Sequence, residues 1–129
     1  MVTMKAINSL VKGLNLPEPG EFTQDWEYEV SDPERIKEFI EYYMRKELTT
    51  DEKYTLMMMI ISSCDDAIIY GLFDEQLWKK VVKILLEDQK IHEETISYWA
   101  SDEEKDIEDC FAITPLIREV LEKIKKQDR

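Results

Sequence analysis

From residue 32 onward, apolar side chains return at i, i+3, i+4 and i+7, and neither Pro nor Gly interrupts those stretches. That spacing marks one face of an α-helix. Ile36, Phe39, Ile40 and Tyr43 form the first stripe; Trp78, Val81, Val82 and Leu85 form the second; Ile117, Val120, Leu121 and Ile124 form the third. All four prolines and all three glycines fall where helices should start or stop, as backbone-breaking residues do. Ser31 or Asp32 caps the helix of the first stripe, with Pro33 in its first turn, where the missing N–H costs nothing. Thr49 and Glu52 have the spacing of a capping box and open a helix that runs to about Gly71. Its stretch from Tyr54 to Ile61 is apolar on nearly every face, which predicts the most buried helix. Thr114 caps and Pro115 opens the last one.

The N-terminal part differs. "LNLPEPGEF" ends a helix begun at about Lys5 and makes a loop. In "DWEYEV", Trp26, Tyr28 and Val30 alternate with Asp25, Glu27 and Glu29, and period-2 alternation reads as a short extended segment. The expectation is an all-α fold: a compact stack of five or six antiparallel helices in a single domain. Residues 1–30 supply an N-terminal helix and an extended arm packed on the body, and residues 31–129 supply the helical body.

The first stripe maps onto the second at an offset of 42 and the second onto the third at 39. A period near 40 suits helical hairpins of the HEAT and armadillo kind, although any amphipathic helices can be aligned on their stripes. Such an array offers a groove to a protein ligand.

A chain of 129 residues is long enough for one real core. Its 29 acids against 17 bases give a net charge of −12, a field that repels nucleic acid and anionic membranes and attracts cationic partners. The longest apolar run, Leu56 to Ile61, is far short of the ~20 residues a membrane span needs. With no secretory-type leader in "MVTMKAINSLVKGLNLPEPG", the chain is expected to be cytoplasmic. Cys64 and Cys110 are too few for a disulfide framework and read as small buried hydrophobes.

Residues 91–110, "IHEETISYWASDEEKDIEDC", contain the only histidine and one of the two cysteines. "HEETI" begins like a zincin motif, but Ile96 stands where the second His belongs. A di-iron bundle site needs Glu three residues before His, and Gln89 stands there. Cys64, Cys110 and His92 are three ligands where zinc needs four. "SDEEKDIEDC" lacks the glycine and alternate acids of a calcium loop. No nucleophile has a base in a known pattern, and no glycine-rich phosphate loop is present. A glycosidase-style carboxylate pair has no sequence spacing to test, but a helical domain of this size is an unusual host. No cofactor or metal is expected, and the chain reads as a non-enzyme.

What does stand out is acid. From Glu87 to Asp109 there are ten carboxylates against Lys90 and Lys105, a local balance of −8. Glu93, Glu94, Asp102, Glu103, Glu104, Asp106, Glu108 and Asp109 surround Tyr98 and Trp99, and aromatics inside an acidic rim suit a protein interface whose partner brings Arg and Lys. The alternative is a solvated face, with Trp99 in the core. Asp65 and Asp66 join the candidate binding residues because they place two anions toward the C-terminal end of the most apolar helix, where the dipole disfavours them. A cap on a further turn, or a bond to a lysine, would also account for them.

Small, acidic and cysteine-poor, with Asp, Glu and Tyr on one helical face, residues 31–126 resemble the immunity proteins that neutralise bacterial polymorphic and contact-delivered toxins. The resemblance is one of overall character and not of a motif. It implies a stoichiometric inhibitor of a basic cognate toxin, such as a nuclease domain. Two other readings are a helical-repeat adaptor that holds a peptide or partner helix, and an acidic nucleic-acid mimic. Oligomeric state is not legible.

Overall fold

The structure, a computed structural model, describes residues 1–20, 25–101, 103–104 and 106–127. Among these residues the fold is all-helical: α1 (Met4–Leu14), α2 (Trp26–Glu29), α3 (Ile36–Arg45), α4 (Thr50–Ile69), α5 (Glu75–Glu87), α6 (Gln89–Ala100) and α7 (Thr114–Gln127), with one 3-10 turn at Ile107–Asp109. No helix is long and apolar enough to cross a membrane among the described residues.

Neighbouring helices pair, α3 with α4, α5 with α6 and α6 with α7. Alternate helices then stack, α3 on α5 on α7 and α4 on α6, while α1 and α2 pack on α4. This is the connectivity of stacked hairpins. Stacking follows from the stripes, because each buries one face and needs a neighbour to cover it. Ile36, Phe39, Ile40 and Tyr43 are all buried on α3. On α5 the buried set is Trp78, Val81, Ile84 and Leu85, so Ile84 takes the place expected for Val82. On α7, Ile117 and Val120 are buried, while Leu121 and Ile124 lie half-buried at the edge of the stack.

Helix α4 is the centre. Leu56, Met57, Met59, Ile60 and Ile61 show no exposed surface. Thr49 opens it with the expected capping box: its hydroxyl accepts from the Glu52 amide, and the Glu52 carboxylate accepts from the Thr49 amide. The other Glu52 oxygen accepts from Ser9 at 2.6 Å, tying α1 to α4. Thr49→Ala should therefore lower stability by about 1 kcal/mol, read as a fall of a few degrees in the thermal midpoint; an unchanged midpoint would mean the cap contributes nothing here. At the other end Gly71 adopts φ 72°. Leu72 and Gly71 donate to the Ala67 and Ile68 carbonyls, the paired bonds of a Schellman stop.

Polar groups also fasten α4 to its surroundings. Ser31 Oγ donates to Ser62 Oγ at 2.5 Å, and the Asp32 amide donates to Ser63 Oγ at 2.9 Å. Ser63 in turn donates to the Met59 carbonyl.

Four local expectations need correction. "DWEYEV" is a helical turn, not an extended arm: positions 26 and 30 fit period 2 and also i, i+4, and Trp26 and Val30 are both buried. A bond from Trp26 Nε1 to the Pro17 carbonyl at 2.8 Å fixes that turn. Asp32 caps the turn before α3, accepting from the Glu34 amide, and the helix proper begins only at Ile36. Thr114 is the first residue of α7, and its hydroxyl donates to the Trp99 carbonyl instead of capping. Gly13 lies inside α1, which ends at Asn15 in the left-handed region. A side chain at Gly13 would collide with the Tyr42 ring, so this glycine serves close approach and not helix termination.

Candidate functional site

The acidic segment leaves α6 through Ser101, whose φ of 47° turns the chain out of the helix, and it returns through the 3-10 turn to α7. Two side chains from other elements hold its backbone. Arg118 of α7 donates Nε–H to the Ala100 carbonyl at 2.8 Å and Nη2–H to those of Ser101 at 2.9 Å and Glu104 at 3.0 Å. The last carbonyls of a helix have no partner within it, and a cation there also meets the favourable end of the dipole.

Asp65 of α4 holds the other end, accepting from the Ile113 amide at 3.0 Å. Burial raises its pKa, opposed by the Ile113 and Ala112 amides. Asp65 thus sits at the start of α7, with one carboxylate oxygen engaged by its backbone. Helix α4 continues through both aspartates, so neither caps a further turn, and Asp65 bonds to backbone and not to lysine. Asp66 is half-buried beside it; burial raises its pKa, with Asp65 adding.

Within the segment, carboxylates close small turns. Glu104 accepts from the Asp106 amide, and Asp106 from the Glu108 amide. Glu93, Glu94, Glu103, Glu104, Asp106, Glu108 and Asp109 are all exposed. None of the seven takes part in an ion pair among the described residues. Asp102, also expected to bind, lies outside the described residues.

The aromatics divide. Trp99 is buried at 4% exposure, which corrects its place among the contact residues. Its ring centroid lies 4.4 Å from Phe111 and 5.5 Å from Tyr98. Tyr98 is 53% exposed and rests on this base, 6.3 Å from Tyr28 and 5.4 Å from Phe111. Burial, with Tyr98 and Glu27 adding, pushes the Tyr28 phenol up to about 12, so it remains a neutral support. Tyr98 borders an open depression of about 880 Å³ lined also by Glu94, Ser97, Ser101, Glu103 and Glu104. The Tyr54 hydroxyl donates to Glu94 at 3.3 Å. An aromatic ring amid carboxylates that make no ion pair among the described residues can take a guanidinium or ammonium by ring contact and charge together.

His92 is not part of this edge. It has no exposed surface, and its Nε2 lies 2.9 Å from the Tyr43 hydroxyl, which donates to Asp88 at 2.6 Å. Among the described residues, no three of His, Cys, Asp and Glu converge to hold a metal. Cys64 is buried, and burial pushes its thiol up to about 12.

Arg118, Tyr54 and Phe111 complete the site with Tyr28, and those three have no mark in the sequence as site residues. Arg118 follows Ile117 in an apolar stripe, and its reach back to Ala100 has no signature in spacing. No protein-family model, no curated protein and no solved structure matches the chain.

Proposed function

We propose that the chain is a non-catalytic protein-binding module that receives a basic partner on the edge formed by Glu94, Tyr98, Glu103 and Glu104 and continued by Asp106, Glu108 and Asp109. The observation that carries this reading is the exposed Tyr98 ring among carboxylates that make no ion pair among the described residues, on a backbone pinned by Arg118. A merely solvating face has no need of a buried aromatic base or a clamped main chain. Preorganisation lowers the ordering cost of association, and opposite charge speeds encounter. Within that class the reading is an immunity protein, a stoichiometric inhibitor of a basic toxin domain such as a nuclease, acting in the cytoplasm.

The test is recovery of a partner from native-source lysate on the tagged protein at low and high salt, read by mass spectrometry, followed by titration. One basic partner should be retained at low salt and reduced at high salt, and its toxic activity should fall to nothing at equimolar protein. Glu103→Lys/Asp106→Lys/Asp109→Lys should weaken that partner at least tenfold, about 1.4 kcal/mol. Equal affinity of the triple variant would sink the acidic-edge reading.

A further inference from the structure

A second surface differs in character: it is mainly apolar, and lysines outnumber acids among its lining residues. Between α5 and α7 runs a groove of about 390 Å³ floored by Phe73, Trp78, Val82, Leu86, Leu116 and Val120. Lys79, Lys83 and Lys123 line it as well, with Glu75 and Glu119. None of these three lysines is engaged in an ion pair among the described residues, in a chain with 29 acids for 17 bases. Lys83 also lines the adjoining hollow, together with Lys80 and Lys53. The turn that leads into Phe73 exposes Ile69 by 61%, Tyr70 by 70% and Leu72 by 49%.

An exposed apolar groove edged by charge is the pattern of a protein interaction surface. Helices dock in such grooves through apolar side chains at i, i+3 or i+4, and i+7. We infer that this groove docks an acidic amphipathic helix of a protein partner, its apolar stripe against Trp78, Val82 and Leu116 and its carboxylates facing Lys79, Lys83 and Lys123. Lys79 and Lys83 are one turn apart on α5 and Lys123 comes from α7, so the cations flank the floor from both walls. The lysine stems extend the apolar contact while their ammonium groups stay in water. The net charge of −12 opposes such a partner at long range, but at physiological salt the Debye length of about 8 Å leaves the local charges to decide the contact, and there the three lysines outnumber Glu75 and Glu119. The acidic edge and this groove share no residue, so the inference stands apart from the proposed function.

The experiment is a display library of random 16-residue peptides, panned on the wild-type protein and counter-selected on Lys79→Glu/Lys83→Glu/Lys123→Glu. All three side chains are exposed, and circular dichroism checks that the variant keeps its helices. Expected are enriched peptides with apolar residues at helical spacing and Asp or Glu beside them. They should bind the wild type at least tenfold more tightly than the lysine variant, weaken with salt, and be indifferent to Glu103→Lys/Asp106→Lys/Asp109→Lys. The inference is overturned if no peptide distinguishes wild type from the lysine variant, or if the enriched peptides are basic and lost with the acidic-edge variant. It is also overturned if the wild type self-associates in sedimentation and the lysine variant does not, because the groove then belongs to a second copy. Binding of decanoate in calorimetry with no peptide enriched would overturn it in favour of a small amphipathic anion.

Discussion

Acidifying the protein from pH 7 to pH 4 is expected to remove roughly 3 kcal/mol of stability through His92 alone, and His92→Gln should abolish that component. Tyr43 donates its proton to Asp88, so its oxygen accepts from His92 Nε2–H. The neutral ring then presents a bare Nδ1, which has no partner among the described residues. A second proton would create a buried donor with nothing to receive it. Burial accordingly lowers the His92 pKa from 6.5 to about 4, with Asp88 opposing and Lys53 adding. Above the unfolded value the imidazole is neutral in both states and contributes no pH dependence. Between 6.5 and about 4 the unfolded chain binds a proton that the folded chain refuses, so stability falls as pH falls through that window.

The carboxyls of Glu27, Asp65 and Asp66 are raised, chiefly by burial, and act in the opposite sense, since the folded state protonates first. They are common to both proteins and cancel in a difference. Urea midpoints at steps from pH 7 to pH 4 for wild type and His92→Gln should diverge steadily in slope. Parallel curves would show that His92 titrates normally.

Arg118→Met should cost roughly 2–3 kcal/mol and lower the thermal midpoint by on the order of 10 °C. Met keeps an unbranched apolar stem but strips three carbonyls, those of Ala100, Ser101 and Glu104, of their donors at once. Arg118→Lys should recover only part of the loss, because one ammonium cannot span the positions that a planar guanidinium reaches with its fork. The sharper readout is local. Amides from Ser101 to Cys110 should exchange faster with solvent by far more than those of α4, and affinity for a basic partner should fall even though every carboxylate is intact. Uniform acceleration across the chain would reduce Arg118 to a general stabiliser. Unchanged exchange at 101–110 would mean the segment holds its shape without the clamp.

The sequence made α3, α5 and α7 legible because each carries an apolar stripe at helical spacing, and α4 legible because its apolar run follows a capping box. The helix and strand periods coincide at Trp26 and Val30, so "DWEYEV" was open to two readings, and tertiary contact with α4 decided it. The site was half legible. Acid density marked its surface, but the same density gave no means of separating Tyr98, which faces water, from Trp99, which does not. Neighbours in a helix point about 100° apart, and only the positions of Phe111 and Tyr28 reveal which of the two turns inward. Asp65 stands out in the sequence as an anion on an apolar helix, but its partner lies 48 residues away, beyond any local pattern. Arg118 gave no signal at all, since a cation beside an apolar stripe is ordinary.

Helix α4 raises a question of rotational phase. A helix that is apolar all round gains nearly the same hydrophobic stabilisation at any angle about its own axis, so burial alone leaves that angle undetermined. Ser62, Ser63 and Asp65 remove the freedom, because only one rotation presents them to Ser31, Asp32 and Ile113. The few polar atoms on the greasiest helix therefore select one alignment from a set of near-equals. The directions in which α1, α2, α3 and α6 meet α4 are inherited from that choice.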